Sequence, residues 1–138
     1  MILADGGTYG GYTLFVRNGH VVYEVNTFGR FHERIESADS LPAGKVEIAF
    51  EYKLDKPVDA KPSGFLHSSV SSGTATLTVN GKPEGSAHFA QFGGFRSSIL
   101  ETLDVGKDTG SAVSGLYKAP YPFTGKIDIC LLYTSRCV

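Results

Sequence analysis

Apolar and polar residues alternate along much of this chain with a period of two, the spacing that sends successive side chains to opposite faces of a β-strand. The pattern is clearest over residues 13–25, where two β-rich runs flank Asn18-Gly19. Asn-Gly adopts the positive φ angles of a type I′ turn at little steric cost, so this stretch predicts a hairpin. Leu14 and Val16 on the first arm, with Val21, Tyr23 and Val25 on the second, alternate as a sheet with one buried face requires. A second pair, Asn80-Gly81, joins residues 74–79 to residues 84–89, with Ala75, Leu77 and Val79 on one face. Between the hairpins, residues 31–35 alternate weakly. Residues 45–53 set Val46, Ile48, Phe50 and Tyr52 against Lys45, Glu47, Glu51 and Lys53, which predicts a strand with one buried and one wet face.

Ser, Asp, Pro and Gly gather in residues 37–44, which reads as a loop. Residues 54–73 hold Pro57, Pro62, Gly64 and many serines without any period, and predict a long surface loop. After a Gly-Gly break, residues 95–105 and 125–132 supply the last expected strands. No window carries a convincing 3.6-residue apolar period. The expected fold class is therefore all-β, an antiparallel β-sandwich.

Composition narrows the function more than the fold. The chain has 138 residues, the size of one domain, with 17 glycines and 12% aromatic residues. Thirteen basic and 14 acidic residues are scattered singly and leave a net charge of −1, so no basic patch points to nucleic acid. No apolar run approaches the roughly 20 residues of a membrane-spanning helix. Cys130 and Cys137 both lie near the C-terminus and do not make a disulfide framework or a metal-ligand spacing.

Candidate chemistry is sparse. Asp108-Thr-Gly-Ser111 spells the aspartic-protease signature, in which two such carboxylates share a proton and activate water. Gly106 and Lys107 precede it where that signature needs an apolar strand, and a second carboxylate would have to come from a dimer. Residues 104–110 read instead as a loop in which Asp side chains and glycines support consecutive turns. Asp104 and Asp108 are also weak metal candidates, since calcium takes about six to eight oxygen ligands. His20, His32, His67 and His88 are widely separated, and the serines of residues 68–72 lack a G-x-S-x-G elbow. Tyr9, Tyr12, Phe28, Tyr117, Tyr121 and Phe123 flank Gly- or Pro-rich turns, where Tyr9, Tyr117 and Tyr121 could stack on a glycan. Packing in the core is the competing reading for these rings.

Longer stretches carry a family resemblance. Asp5-Gly-Gly-Thr-Tyr-Gly-Gly-Tyr-Thr-Leu-Phe-Val-Arg-Asn-Gly-His-Val-Val-Tyr23 resembles the pattern of the C-terminal accessory domain of bacterial arylsulfatases. Glu101-Thr-Leu-Asp-Val-Gly-Lys-Asp-Thr-Gly-Ser-Ala-Val-Ser114, followed by Tyr117 and Pro122-Phe-Thr-Gly125, resembles a late segment of that family, and Leu41-Pro-Ala-Gly-Lys45 fits its order. The resemblance implies a jelly-roll sandwich of concanavalin or laminin-G type, in one domain over residues 1–129. It also implies no catalytic residue and no cofactor in this chain, with calcium and a formylglycine residing in a separate sulfatase catalytic domain. That domain is the implied partner, a glycan a further one, and a periplasmic or secreted location is common in the family. The alternative is a free-standing lectin-like or laminin-G-like carbohydrate-binding module. The family pattern has another strand before Ile2, so the chain is expected to lack its first strand and to expose a sheet edge. Residues 130–138 depart from the family's final strand, resemble translated adapter sequence at the end of a metagenomic read, and are expected to be non-native.

Overall fold

The structure is a computed structural model that describes residues 1–56, 70–93 and 101–132. Among these residues there is no helix, and every strand pair is antiparallel. A five-stranded sheet is built from β1 (Leu3–Gly7), β2 (Gly10–Arg17), β3 (His20–Thr27), β4 (Phe31–Glu36) and β8 (Leu103–Val105), in the order β4-β3-β2-β1-β8. A second sheet takes β5 (Ile48–Leu54), β6 (Val70–Val79) and β7 (Lys82–Gly93) in that order. Two short strands, β9 (Lys107–Asp108) and β10 (Tyr121–Pro122), pair with each other.

Both Asn-Gly pairs form the turns that their chemistry favours. Asn18 and Gly19 have φ of 52° and 85°, and Asn80 and Gly81 have φ of 51° and 76°. The resulting registers, Arg17↔His20 and Val79↔Lys82, close two-residue hairpins.

The two larger sheets pack face to face. Val21, Tyr23, Val25 and Ile35 from the first meet Ala75, Leu77, Val79 and Phe89 from the second. Aromatic rings line the same interface, with Tyr23 on Phe50 at a centroid distance of 3.4 Å and Tyr52 on Phe92 at 3.7 Å. One margin is tied by polar groups. Both carboxylate oxygens of Glu33 on β4 accept backbone N–H groups of β7, from Ala90 and Gln91, each at 2.7 Å. Thr27 Oγ1 donates to the Gln91 carbonyl, and Ala38 N–H donates to that of Glu84. A β-sandwich is thus the observed architecture.

Several expectations need correction. The first hairpin has two buried faces: Phe15 and Val22 are fully buried on the side away from the second sheet, with Met1 and Ala4. Residues 112–121 cover that side through Val113 and Tyr117, which explains why every residue from Val21 to Thr27 is buried. Val70 to Gly73, expected in a loop, begin β6, because β7 runs on to Gly93 and offers them a partner. Serine carries little strand signal, but here Ser71 Oγ donates to the Phe92 carbonyl and Ser72 Oγ to Asp55. The strand expected from residue 45 starts at Ile48, and Glu47 pairs with the Asn80 turn through two bonds. Residues 125–132 alternate in sequence but form no strand, and Ile129 is 75% exposed. Of residues 95–105, those before 101 lie outside the described residues, as do residues 57–69 of the expected loop, including Pro57, Pro62, Gly64, His67 and Ser68. β1, at the start of the chain, is an inner strand with β2 on one side and β8 on the other.

Two glycines separate conformational strain from steric exclusion. Gly81 has φ of 76° and open space where a Cβ would stand, whereas a Cβ on Gly11, at φ 145°, would collide with the Asp5 carbonyl across the β1–β2 pair. Gly81→Ala should cost about 1 kcal/mol through φ strain alone, and Gly11→Ala about 3 kcal/mol or more because backbone must also move. Urea unfolding of the two variants checks this. Equal losses would contradict the close approach at Gly11.

Candidate functional site

The polar side chains with the least exposure cluster on the covered outer face of the five-stranded sheet. Along β3, Val21, Tyr23 and Val25 face the sandwich core, so Val22, Glu24 and Asn26 face the other way, beneath residues 108–121. Glu24 has no exposed surface. Its Oε1 lies 2.7 Å from His32 Nδ1, and its Oε2 accepts from Ser114 Oγ at 2.7 Å and lies 3.4 Å from Arg34 Nε. A carboxylate only accepts, so the His32 Nδ1 carries the proton in that bond. Serine, glutamate and histidine thus meet, but both partners bond the carboxylate. A hydrolase triad needs the serine on the imidazole, so this arrangement does not activate the hydroxyl.

Asn26 does comparable work two residues on. Its Nδ2 donates to the carbonyls of Gly7, Thr8 and Val113, and its Oδ1 accepts the Gly29 N–H at 2.8 Å. One buried amide therefore joins the β1–β2 turn, the β3–β4 turn and the covering loop.

Asp108, on β9, is 1% exposed and accepts the Tyr117 hydroxyl at 2.5 Å. Burial, the largest influence, pushes its carboxyl above the usual range against the stabilising bonds from Tyr117 and the Gly110 backbone, with the nearby charges of Asp104 and Glu101 adding to the rise. Burial also raises the Tyr117 phenol, assisted by Asp108. Asp104, in β8, accepts both the N–H and the hydroxyl of Thr109, and Glu101 accepts both the N–H and the hydroxyl of Ser111. Glu101, Asp104 and Asp108 line one small cleft of about 120 Å³. Each carboxylate is spent on a neighbouring N–H or O–H, and among the described residues no three acidic, histidine or cysteine side chains converge as a metal site. The protease-like Asp-Thr-Gly-Ser stretch forms a bonded turn in which the aspartate points into packed structure.

The three tyrosines singled out for glycan stacking do not share a surface. Tyr117 is buried, with its ring 5.0 Å from Phe15 and 5.0 Å from Tyr121, so it is a core residue and not a stacking platform. Tyr121 is half-buried and its hydroxyl donates to the Val16 carbonyl. Tyr9 stands apart at 80% exposed, on the β1–β2 turn. No catalytic or ligand motif in the sequence marks Glu24, Asn26 or Ser114. Glu24 and Asn26 show only as polar interruptions of the apolar run in β3, and Ser114, in the covering loop, carries no local signal.

The class these observations define is an all-β sandwich with a polar-locked loop over one sheet. Comparison with known protein families, with curated proteins and with solved structures finds no match to this chain in any of the three.

Two predictions follow from the buried carboxylates. Glu24→Ala leaves Ser114, His32 and Arg34 without their common partner and should cost about 3–5 kcal/mol in a denaturant titration, while Ser114→Ala should cost about 1–3 kcal/mol. A Glu24→Ala loss below about 0.5 kcal/mol, the scale of ordinary surface changes, would refute the clamp. Asp108 has the opposite sign. Its folded pKa is raised, so its ionised form opposes folding above that value, and the penalty fades as pH falls to the unfolded value. Asp108→Asn retains an acceptor for Tyr117 and should match or exceed the parent's stability at pH 7, with any advantage shrinking through the carboxylate range. Paired thermal melts from pH 3 to 7 read the difference.

Proposed function

We propose that this chain is a non-catalytic C-terminal accessory domain of an arylsulfatase-like enzyme, with a jelly-roll sandwich of concanavalin or laminin-G type. The observation that carries the reading is the way its two family-like stretches combine. Residues 5–23 build most of β1, all of β2 and the first half of β3, and residues 101–114 lie against them: Asp5↔Leu103 pair in the sheet, and Ser111 Oγ accepts the Thr8 N–H at 2.9 Å. Segments about a hundred residues apart in the sequence thus form one unit, and Glu101, Asp104 and Asp108 brace the later of them through Ser111, Thr109 and Tyr117. Locked carboxylates support a positioning role over a chemical one.

In this reading the sulfate-ester chemistry, with its formylglycine and calcium, belongs to a catalytic domain elsewhere in the parent protein. This domain completes or shields that one, in a periplasmic or secreted enzyme. Neither Cys130 nor Cys137 begins the Cys/Ser-x-Pro/Ser-x-Arg sequence from which formylglycine is made.

The test is the coding DNA upstream of Met1. An open frame continuing into a domain with the Cys/Ser-x-Pro/Ser-x-Arg sequence is the expected result. A start codon with its own ribosome-binding site and no sulfatase sequence in frame would overturn the reading, as would hydrolysis of p-nitrophenyl sulfate by this chain alone.

A further inference from the structure

One end of the five-stranded sheet carries three exposed aromatic side chains on neighbouring segments. Tyr9, in the β1–β2 turn, is 80% exposed, and Phe28 and Phe31, at the β3–β4 turn, are 45% and 49% exposed. The two turns touch: a Cβ on Gly29 would stand 3.0 Å from the Thr8 carbonyl oxygen and 3.6 Å from Tyr9 Cα.

These turns are held in place from beneath. Asn26 bonds the carbonyls of Gly7 and Thr8 on one side and the Gly29 N–H on the other, and the Thr8 N–H is fixed on Ser111. Little conformational freedom remains to be lost when a ligand docks on such a surface. Arg30 is exposed between Phe28 and Phe31 and makes no ion pair among the described residues. Glu33, the nearest acidic residue along the chain, has both oxygens on backbone N–H groups of β7.

We propose that this rim binds a pyranose sugar carrying an anionic substituent. The apolar C–H face of the ring lies on Tyr9, Phe28 and Phe31, and the anion lies on Arg30. Aromatic side chains supply broad apolar contact at low entropic cost, and a planar guanidinium matches the oxygens of a sulfate or carboxylate. A net charge of −1, with Arg30 as the single unpaired cation at this rim among the described residues, disfavours a polyphosphate backbone.

Titration calorimetry with three probes tests the proposal: a dextran sulfate oligosaccharide, an oligogalacturonate and a neutral dextran oligosaccharide. Saturable binding of at least one anionic probe and none of the neutral one is expected, and the preferred anion tells a sulfated sugar from a uronic acid. Tyr9→Ala and Arg30→Ala should each weaken binding about tenfold. Arg17→Ala, at the opposite end of the β2–β3 hairpin, should leave it unchanged. Failure of both anionic probes to saturate, equal binding of the neutral probe, unaltered affinity in Tyr9→Ala, or an equal loss in Arg17→Ala would each overturn the site. The proposal does not depend on membership in a sulfatase, so the upstream reading frame and the sugar titration can fail separately.

Discussion

Glu24 is a carboxylate without exposed surface in the middle of a sheet, and the need to satisfy it shapes the whole outer face. Taking such a charge out of water costs several kcal/mol unless partners replace the lost solvation. Here the partners come from two directions: His32 and Arg34 from the neighbouring β4, and Ser114 from a loop ninety residues further along the chain. The charge therefore specifies where the loop must lie. Phe15, Val22, Val113 and Tyr117 can close a second apolar core only once that loop is in place.

The polar groups divide the labour by depth. Beneath the loop, Glu24, Asn26 and Asp108 are buried and each is bonded to its own partners, which fixes geometry and leaves them poorly placed to act on a substrate. At the surface, ion pairs such as Asp39 and Glu84 with Lys82 hold the margin where β7 meets the chain after β4. The bond from Lys82 depresses the Asp39 carboxyl, and Glu84 is depressed first by the Asp39 backbone N–H and then by Lys82. Their contribution is present at neutral pH and fades as pH falls through those lowered values, opposite in sign to that of Asp108. Acid thus loosens the margin while relieving the interior.

Rigidity in the interior also prepares the exterior. Asn26 lies wholly inside, yet its bonds hold the two turns that display Tyr9, Phe28 and Arg30. An exposed aromatic on a tethered turn differs physically from one on a loose loop, because its position is set before any ligand arrives.

Much of the sandwich was legible in the sequence because its signals are local. Asn18-Gly19 and Asn80-Gly81 need only their own backbone preferences to turn the chain, and the alternation of Ala75, Leu77 and Val79 needs only the pleat. What lay beyond reach was set by partners distant in the chain. Serines at 71 and 72 are strand residues because β7 extends beside them, whereas Ile127 and Ile129 alternate yet form no strand. Tyr9 and Tyr117 are the same residue type beside similar turns, but one is exposed and the other faces Phe15. Sequence alone determined the all-β class, the two hairpins and the residues facing the sandwich core, since period and turn chemistry are short-range properties. Only tertiary structure decided which polar residues are buried, which rings meet solvent and which face of the sheet is covered, because those outcomes depend on what packs across a gap that no local pattern encodes.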